Sequence, residues 1–187
     1  MDNRKCISEY IKEEIAVLNA LNIEEIDSVI NVLDEARIKR KRVFTCGNGG
    51  SAATAAHFVC DLEKGASENK EIRFDAECLS DNTPTMMAIS NDFTYEEAFE
   101  QRLINKGHEG DVLICISGSG NSENVVRAAK KAKELKMTTI GLVGYDGGKL
   151  KGIVDCCVHA NIDNMQISED IHMILDHIIM WTLCKKQ

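Results

Sequence analysis

Two short segments rich in glycine and serine carry the residues best suited to binding a small anion. The segment CGNGGSAA covers residues 46–53, and the segment SGSGNSEN covers residues 117–124. Each lies between a predicted strand and a predicted helix, where glycines let the backbone approach a ligand and the helix start offers free N–H groups. The clustered hydroxyls of Ser117, Ser119 and Ser122 suit a compact phosphate monoester. The sequence therefore predicts a phosphate site at these two loops.

Other phosphate-binding motifs fit less well. Residues 144–149 (GYDGGK) form a third glycine-rich turn, but they lack the spacing and the hydroxyl of a P-loop. Gly47, Gly49 and Ala52 do match the dinucleotide-binding fingerprint, and Asp81 lies just past the next predicted strand. A dinucleotide site does not require a second loop rich in serine. We therefore favour a small phosphate ester as ligand and keep a Rossmann oxidoreductase as an alternative.

Ionisable side chains on two predicted helices could carry acid–base or metal chemistry. His57 and Asp61 are four residues apart on the helix that follows the first loop, so they share a face. On the last predicted helix, Glu169, His172 and Asp176 share a face by the same spacing rule. The proximity of the anion site favours a functional role for His57. We interpret His172 and Asp176 as a structural pair or as a support for neighbouring functional groups.

The predicted elements explain how these residues could meet. Residues 5–38 read as two amphipathic helices, whose apolar faces either pack on their own core or serve an oligomer. Beyond them, apolar strands alternate with helices, which is typical of a parallel sheet covered by helices on both faces. The predicted strands are 42–46, 76–80, 111–117, 138–144 and 153–160, and the predicted helices are 51–64, 84–106, 122–136 and 166–184. Ligands of such sheets bind at the carboxyl ends of the strands, where the glycine-rich turns lie.

Composition limits the class of protein. The chain has 187 residues, of which 44% are hydrophobic and 28% charged, and we expect a single domain with a helical arm (1–40) and an α/β core (41–187). No apolar run reaches ~18 residues, and the N-terminus is charged, so we expect neither a membrane span nor export. A net charge of −8 argues against nucleic-acid and membrane binding. The eight cysteines form no C-x-x-C pair, and we expect reduced thiols in the cytoplasm.

The two loops together resemble the sugar isomerase (SIS) phosphosugar-binding domain. The strings CGNGGSAATAAHF, AISNDFTYEEAF, GDVLICISGSGNSENV and GYDGGKLKG resemble one branch of that family, the sedoheptulose 7-phosphate isomerases, also called phosphoheptose isomerases. The resemblance runs from about residue 8 to residue 182. It implies a three-layer α-β-α sandwich around a five-stranded parallel sheet. It also implies a homotetramer assembled partly through the N-terminal helices, with an active site shared between subunits.

The resemblance further implies which residues form the site. Substrate contacts would come from Asn48, Gly49, Gly50, Ser51, Asp61, Asn91, Asp92, Ser117, Gly118, Ser119, Ser122 and Glu169. Metal ligands would be His57, Asp61, Glu169 and His177, a set suited to one Zn²⁺ per subunit. This chain departs from the family at three of these positions: Gly118 replaces the usual threonine, Asp61 the usual glutamate, and Glu169 the usual glutamine.

The implied reaction is aldose–ketose isomerisation of a phosphosugar, most specifically of sedoheptulose 7-phosphate to D-glycero-D-manno-heptose 7-phosphate through an enediol. Such a reaction needs a base, an acid and stabilisation of developing oxyanion charge. We interpret Asp61 or Glu169 as the base and His177 as the acid. The alternative is a non-catalytic phosphosugar-binding or regulatory SIS protein of the type that associates with a replication initiator. The family suggests a heptose precursor of lipopolysaccharide or another surface glycan as the final use of the product.

Overall fold

A five-stranded parallel sheet forms the centre of the molecule in the computed structural model, which describes residues 2–186. Its strands are β1 (Arg42–Cys46), β2 (Asp75–Cys78), β3 (Val112–Ser117), β4 (Thr138–Val143) and β5 (Cys156–His159). They lie in the order β2-β1-β3-β4-β5. The chain therefore continues from β1 to β2 on one side of β1, and β3, β4 and β5 follow one another on the other side. Loops after neighbouring strands from which the chain continues in opposite directions, such as β1 and β3, diverge and leave a crevice between them. The two loops singled out in the sequence follow these two strands.

Helices cover both faces of the sheet and confirm the predicted three-layer sandwich. One face carries α1 (Asn3–Ala20), α2 (Ile23–Ile38), α3 (Gly50–Cys60) and α8 (Met165–Lys185). The other carries α5 (Ala98–Ile104), α6 (Glu123–Glu134) and α7 (Gly148–Lys151), with α4 (Thr83–Asp92) packed beside α5. Strand β3 is buried at every residue, as expected for a central strand covered on both sides.

The two N-terminal helices differ in how they bury their apolar residues. Helix α2 buries a full stripe against the sheet and α8: Ile26, Val29, Ile30, Leu33 and Ala36. Helix α1 buries only Val17 and leaves an apolar row of Ile7, Ile11 and Ile15 exposed. The first of the two predicted alternatives was that these helices pack on the core of their own chain. This alternative accounts for the apolar residues of α2 but not for the exposed row of α1.

Three predicted elements differ from the observed ones. The helix predicted for 84–106 is broken, because Thr94 is extended and its hydroxyl hydrogen-bonds Glu97 at the start of a 3₁₀ turn (Tyr95–Glu97). The strand predicted for 153–160 begins only at Cys156, because the Asp155 side chain accepts hydrogen bonds from the backbone and hydroxyl of Thr139. The helix predicted for 51–64 changes at Asp61 into a π-helical turn.

Two further observations concern the chain as a whole. None of the helices within residues 2–186 combines the length and the apolar character needed to cross a membrane. All eight cysteines are free thiols.

Candidate active site

The two glycine-rich loops meet at the carboxyl ends of β1 and β3 and enclose a cavity of about 260 Å³. Gly49 adopts a φ of +54°, a conformation that side chains other than glycine's rarely tolerate, at the turn where α3 begins. The cavity is lined by nine residues predicted from the sequence: Asn48, Gly49, Gly50, Ser51, Ser117, Gly118, Ser119, Ser122 and Glu169. Ile116 and Met165 complete its lining and were not predicted.

The second loop is arranged as an anion cradle. The Ser117 hydroxyl accepts a hydrogen bond from the Gly120 backbone N–H at 3.1 Å and donates one to the Ser122 hydroxyl at 3.3 Å. Ser122 is the residue that precedes α6, yet its side chain makes no capping hydrogen bond within the described chain. The Val125 N–H donates to Asn124 Oδ1 at 3.0 Å. The Ser122 hydroxyl and the N–H groups of Glu123 and Asn124, at the start of α6, therefore remain available to a negatively charged ligand.

The third glycine-rich turn (residues 144–149) and the residue after it form hydrogen bonds with the serine-rich second loop (residues 117–124). The backbone N–H of Gly144 donates to the carbonyl of Gly118 at 2.8 Å, and the N–H of Leu150 donates to the carbonyl of Gly120 at 3.0 Å. A Cβ on Gly120 would lie 2.0 Å from the carbonyl oxygen of Gly147, so only glycine fits. A second cavity of about 420 Å³, lined by polar residues that include Ser119, adjoins this turn.

A pair of amides joins the first loop to the start of α6. Asn48 and Asn124 exchange two side-chain hydrogen bonds, each of 2.9 Å, and the Tyr95 hydroxyl donates to Asn48 Oδ1 at 2.7 Å. These contacts hold the two loops at a fixed separation. Asn91 and Asp92, predicted to contact substrate, lie at the exposed end of α4 and hydrogen-bond each other at 2.9 Å. They do not line the loop cavity.

A second cluster lies between α3 and α8. The Nε2 atoms of His57 and His177 are 3.2 Å apart, and His57 Nε2 is 3.6 Å from Asp61 Oδ2. Asp176 joins them, so that one potential ligand atom from each of the four residues lies within 4.8 Å of the others. Both histidines are exposed on one side, whereas Asp176 is completely buried. The cluster is therefore open to a ligand from the side of the imidazoles.

The local structure of two elements brings this cluster together. Asp61 begins the π-helical turn in which α3 ends, and such turns alter the direction of side chains relative to a regular helix. This turn packs against α8, where a Cβ on Gly65 would lie 3.1 Å from Cγ of Met180. The turn thereby places the Asp61 carboxylate beside the residues of α8.

Glu169 lies away from this cluster. Its carboxylate sits against the backbone of Gly50, since a Cβ on Gly50 would be 2.3 Å from Glu169 Oε2. Glu169 and His177 are eight residues apart, or about 12 Å along a straight helix. Of the four predicted ligands, the structure brings His57, Asp61 and His177 together with Asp176, and Glu169 lies outside this group.

Two ionisable side chains of α8 are buried without hydrogen bonds in the described part of the chain: His172 and Asp176. Burial lowers the pKa of His172 to about 4 and keeps it neutral. Burial, with a further contribution from the charge of Asp61, raises the pKa of the Asp176 carboxyl to about 8. The two residues were predicted as a pair, but neither ring nitrogen of His172 hydrogen-bonds the carboxylate.

Comparison with known proteins agrees with this arrangement. The family model described as "SIS domain" matches residues 8–144. The phosphoheptose isomerase of Clostridium acetobutylicum is 39% identical over 158 residues, which cover 84% of this chain and 80% of the relative. That of Helicobacter pylori strain P12 is 38% identical over 156 residues, covering 83% and 81%. The structure of a phosphoheptose isomerase from Francisella tularensis superposes with a TM-score of 0.90 at 27% identity, over 100% of both chains.

The chain belongs to the phosphoheptose isomerase family. The family resemblance inferred from the glycine-rich and serine-rich loops is thus confirmed. Five residues at the two clusters of this phosphoheptose isomerase fold were not predicted or were predicted in another role: Tyr95, Ile116, Asn124, Met165 and Asp176. Asn124 ends the segment SGSGNSEN and Tyr95 lies in the segment AISNDFTYEEAF, so both lay within the motifs that the sequence singled out.

Proposed function

We propose that the protein isomerises sedoheptulose 7-phosphate to D-glycero-D-manno-heptose 7-phosphate, supplying a heptose precursor for a surface glycan. One observation carries this proposal: α3 and α8 each run from the loop cavity to the cluster of histidines and carboxylates. Ser51 to His57 on α3 and Glu169 to His177 on α8 span roughly 9–12 Å of helix. A seven-carbon chain with phosphate at one end and its reacting carbons at the other suits such a two-ended site.

The loop cavity would bind the phosphate end. Hydroxyls of Ser117, Ser119 and Ser122, with the backbone of Gly118 and the start of α6, provide donors for phosphate oxygens. Ser51 would also contact the phosphate. Asn48, Gly49 and Gly50 would contact the sugar chain, as would Asn91 and Asp92 once substrate is bound. Binding energy gained here, remote from the reacting carbons, positions C1 and C2 for proton transfer.

Side chains at the other end would transfer the protons. A base removes a proton from C1 of the ketose, the C–H electron pair forms the C1–C2 double bond, and the C2 carbonyl oxygen takes up a proton to give the enediol. The C1 hydroxyl then loses its proton to form the aldehyde carbonyl, while the electron pair of the C1–C2 double bond takes up a proton at C2. We assign the base to Asp61 or Glu169 and the acid to His177. The half-buried position of Asp61 and the exposed His177 ring support these roles, because the base is partly shielded from solvent while the acid faces the ligand side.

A divalent cation fits the cluster of His57, Asp61 and His177. Asp61 Oδ2 and both oxygens of Asp176 are buried without a hydrogen-bond partner among residues 2–186. Unpaired buried carboxylates are costly, and imidazole and carboxylate ligands suit Zn²⁺. We therefore propose one Zn²⁺ per subunit. When bound, such an ion polarises the substrate oxygens on which negative charge develops.

We also propose a homotetramer in the cytoplasm. Ile7, Ile11 and Ile15 on α1 are 60%, 48% and 52% exposed and form one apolar row. Rows of this kind on an otherwise polar helix are typical of subunit interfaces. The partial exposure of His57 and His177 agrees with a site to which a neighbouring subunit contributes. Eight free thiols support a reducing compartment.

Proton NMR in D₂O tests the proposed activity directly. Sedoheptulose 7-phosphate is incubated with the protein, and we expect aldose signals to grow with deuterium at C2. Hexose and pentose phosphates serve as comparison substrates. If calorimetry shows that the heptose phosphate binds but NMR shows neither exchange nor product, the alternative of a non-catalytic phosphosugar-binding protein replaces the proposal.

A further inference from the structure

We infer that Asp176 completes the metal-ligand set with His57, Asp61 and His177, and that Glu169 is left free to act on substrate in the loop cavity. This inference rests on the proposed function, because it concerns the cation bound at the same site. It assigns a ligand that the sequence reasoning had interpreted as structural. It also gives different roles to Glu169 and Asp176, two of the three acidic residues of α8.

Burial provides the first argument. Asp176 is completely buried, and neither of its oxygens has a hydrogen-bond partner in the described chain. A carboxylate in such a place needs a compensating positive charge or a proton. No lysine or arginine among residues 2–186 hydrogen-bonds Asp176, whereas one ring nitrogen each of His57 and His177 lies within 4.8 Å of one of its oxygens. A dication among these groups provides that compensation.

The position of Glu169 provides the second argument. Its carboxylate is packed against Gly50 at the start of α3 and lines the loop cavity. Asp176 directly precedes His177, whereas Glu169 is two helical turns further towards the N-terminus of α8, about 12 Å from His177. Glu169 would have to leave its contact with Gly50 to reach an ion held by His177.

Charge provides the third argument. Two carboxylates and two neutral imidazoles balance the double positive charge of a dication without excess, in a set of four ligands. Adding the Glu169 carboxylate would leave the centre with an unbalanced negative charge close to the buried Asp176. The carboxylates of Asp61 and Asp176 alone thus balance the charge of the ion. The Glu169 carboxylate is then available to act on substrate in the loop cavity.

Metal affinity separates the two acidic residues experimentally. The apoprotein is prepared with a chelator, and Zn²⁺ dissociation constants are measured by competition with a chromophoric chelator for the parent, Asp176→Asn and Glu169→Gln. We expect Asp176→Asn to raise the dissociation constant by about 10- to 100-fold or more. We expect Glu169→Gln to bind Zn²⁺ as the parent does while its kcat falls. Asp170→Asn, an exposed carboxylate on the same helix, is the matched control and should leave both unchanged.

Two further measurements guard against an unfolded variant. The rise in melting temperature on adding Zn²⁺ should shrink for Asp176→Asn and persist for Glu169→Gln, since a ligand stabilises only the state that binds it. The visible spectrum of the Co²⁺-substituted protein should change for Asp176→Asn alone. Without metal, Asp176→Asn should be no less stable than the parent, because the change removes a buried carboxyl group that has no hydrogen-bond partner among residues 2–186.

The outcomes distinguish this inference from the proposed function. Loss of affinity in Glu169→Gln with an unchanged Asp176→Asn overturns the inference and leaves the isomerase intact. A parent protein that binds no dication also overturns it, whether or not NMR detects isomerisation. Failure to convert any phosphosugar by a protein whose Zn²⁺ affinity depends on Asp176 overturns the function and keeps the metal site.

Discussion

The Nε2 atoms of His57 and His177 lie 3.2 Å apart, although the two residues are separated by 120 positions in the sequence. Two protonated imidazoles would repel each other at this distance, and two neutral ones can share one proton or one cation. The carboxyl groups of Asp61 and Asp176 lie close to the two rings. This contact joins α3 to α8, the two helices that also reach the loop cavity, at the place where we propose that protons are transferred.

Replacing the proposed acid or one candidate base should nearly stop turnover. We expect His177→Ala and Asp61→Asn each to lower kcat by about 10²- to 10⁴-fold, the usual contribution of a positioned acid or base. Coupled assays with sedoheptulose 7-phosphate measure this loss. His108→Ala, an exposed histidine outside the site, is the control. An Asp61→Asn enzyme as fast as the parent would assign the base to Glu169.

The serine loop should determine substrate affinity more than rate. Removing the hydroxyl of Ser119 or Ser122 takes away a hydrogen bond to a charged phosphate, worth about 1.5–3 kcal/mol. We therefore expect KM to rise by roughly 10- to 100-fold in Ser119→Ala and Ser122→Ala, with a smaller change in kcat. Ser8→Ala on α1 is a control on an exposed serine. An unchanged KM in both loop variants would show that this loop does not bind the phosphate of the substrate.

A methyl group on Gly50 should displace the Glu169 carboxylate. The added Cβ would lie 2.3 Å from Oε2, so the flexible end of Glu169 must move while the backbone keeps its course. Small misplacements of catalytic groups cost up to about 10²-fold in rate, and we expect Gly50→Ala to lower kcat/KM within that range without lowering the melting temperature. Gly152→Ala, where the nearest atom is 3.8 Å away, should leave kinetics unchanged. Parental kinetics in Gly50→Ala would mean that the position of Glu169 is unimportant.

Much of this arrangement could be predicted from the sequence, because it depends on local patterns. Apolar runs bounded by glycine-rich turns define β1 and β3, and their loops carry the serines that line the cavity. The break at Thr94 was missed, although its spacing to Glu97 is that of a helix start. The partnership of Asp176 was not predictable, since it depends on the π-helical turn at Asp61 and on how α3 packs against α8.

Acid should destabilise the protein through His172. The buried imidazole has a pKa of about 4 in the folded chain against 6.5 as its ordinary value, so the unfolded chain takes up the proton first as pH falls. Its stabilising contribution is complete above pH 6.5 and is lost between 6.5 and 4, by about 3 kcal/mol. Asp176, with its pKa raised to about 8, acts in the opposite sense and lowers stability as pH rises from about 4 to about 8.

The two effects are separated by working in the metal-free Asp176→Asn background. Chemical denaturation at pH 7 and at pH 4 compares this variant with one that also carries His172→Gln. We expect the stability difference between them to shrink by about 3 kcal/mol at the lower pH. A difference independent of pH would show that His172 is not neutral in the folded protein.

The exposed apolar row of α1 should hold the subunits together. Ile15 is 52% exposed and continues the row of Ile7 and Ile11, so placing a carboxylate there would bury a charge in any interface formed by this row. We expect Ile15→Asp to lower the mass measured by light scattering below that of a tetramer and to reduce activity with it. Ala16→Asp adds the same charge to an exposed position of α1 outside the row and should keep the parental mass. If the Ile15→Asp protein keeps the mass and activity of the parent, the subunit interface does not include this row of α1. If Ile15→Asp and Ala16→Asp dissociate equally, the added charge alone explains the effect.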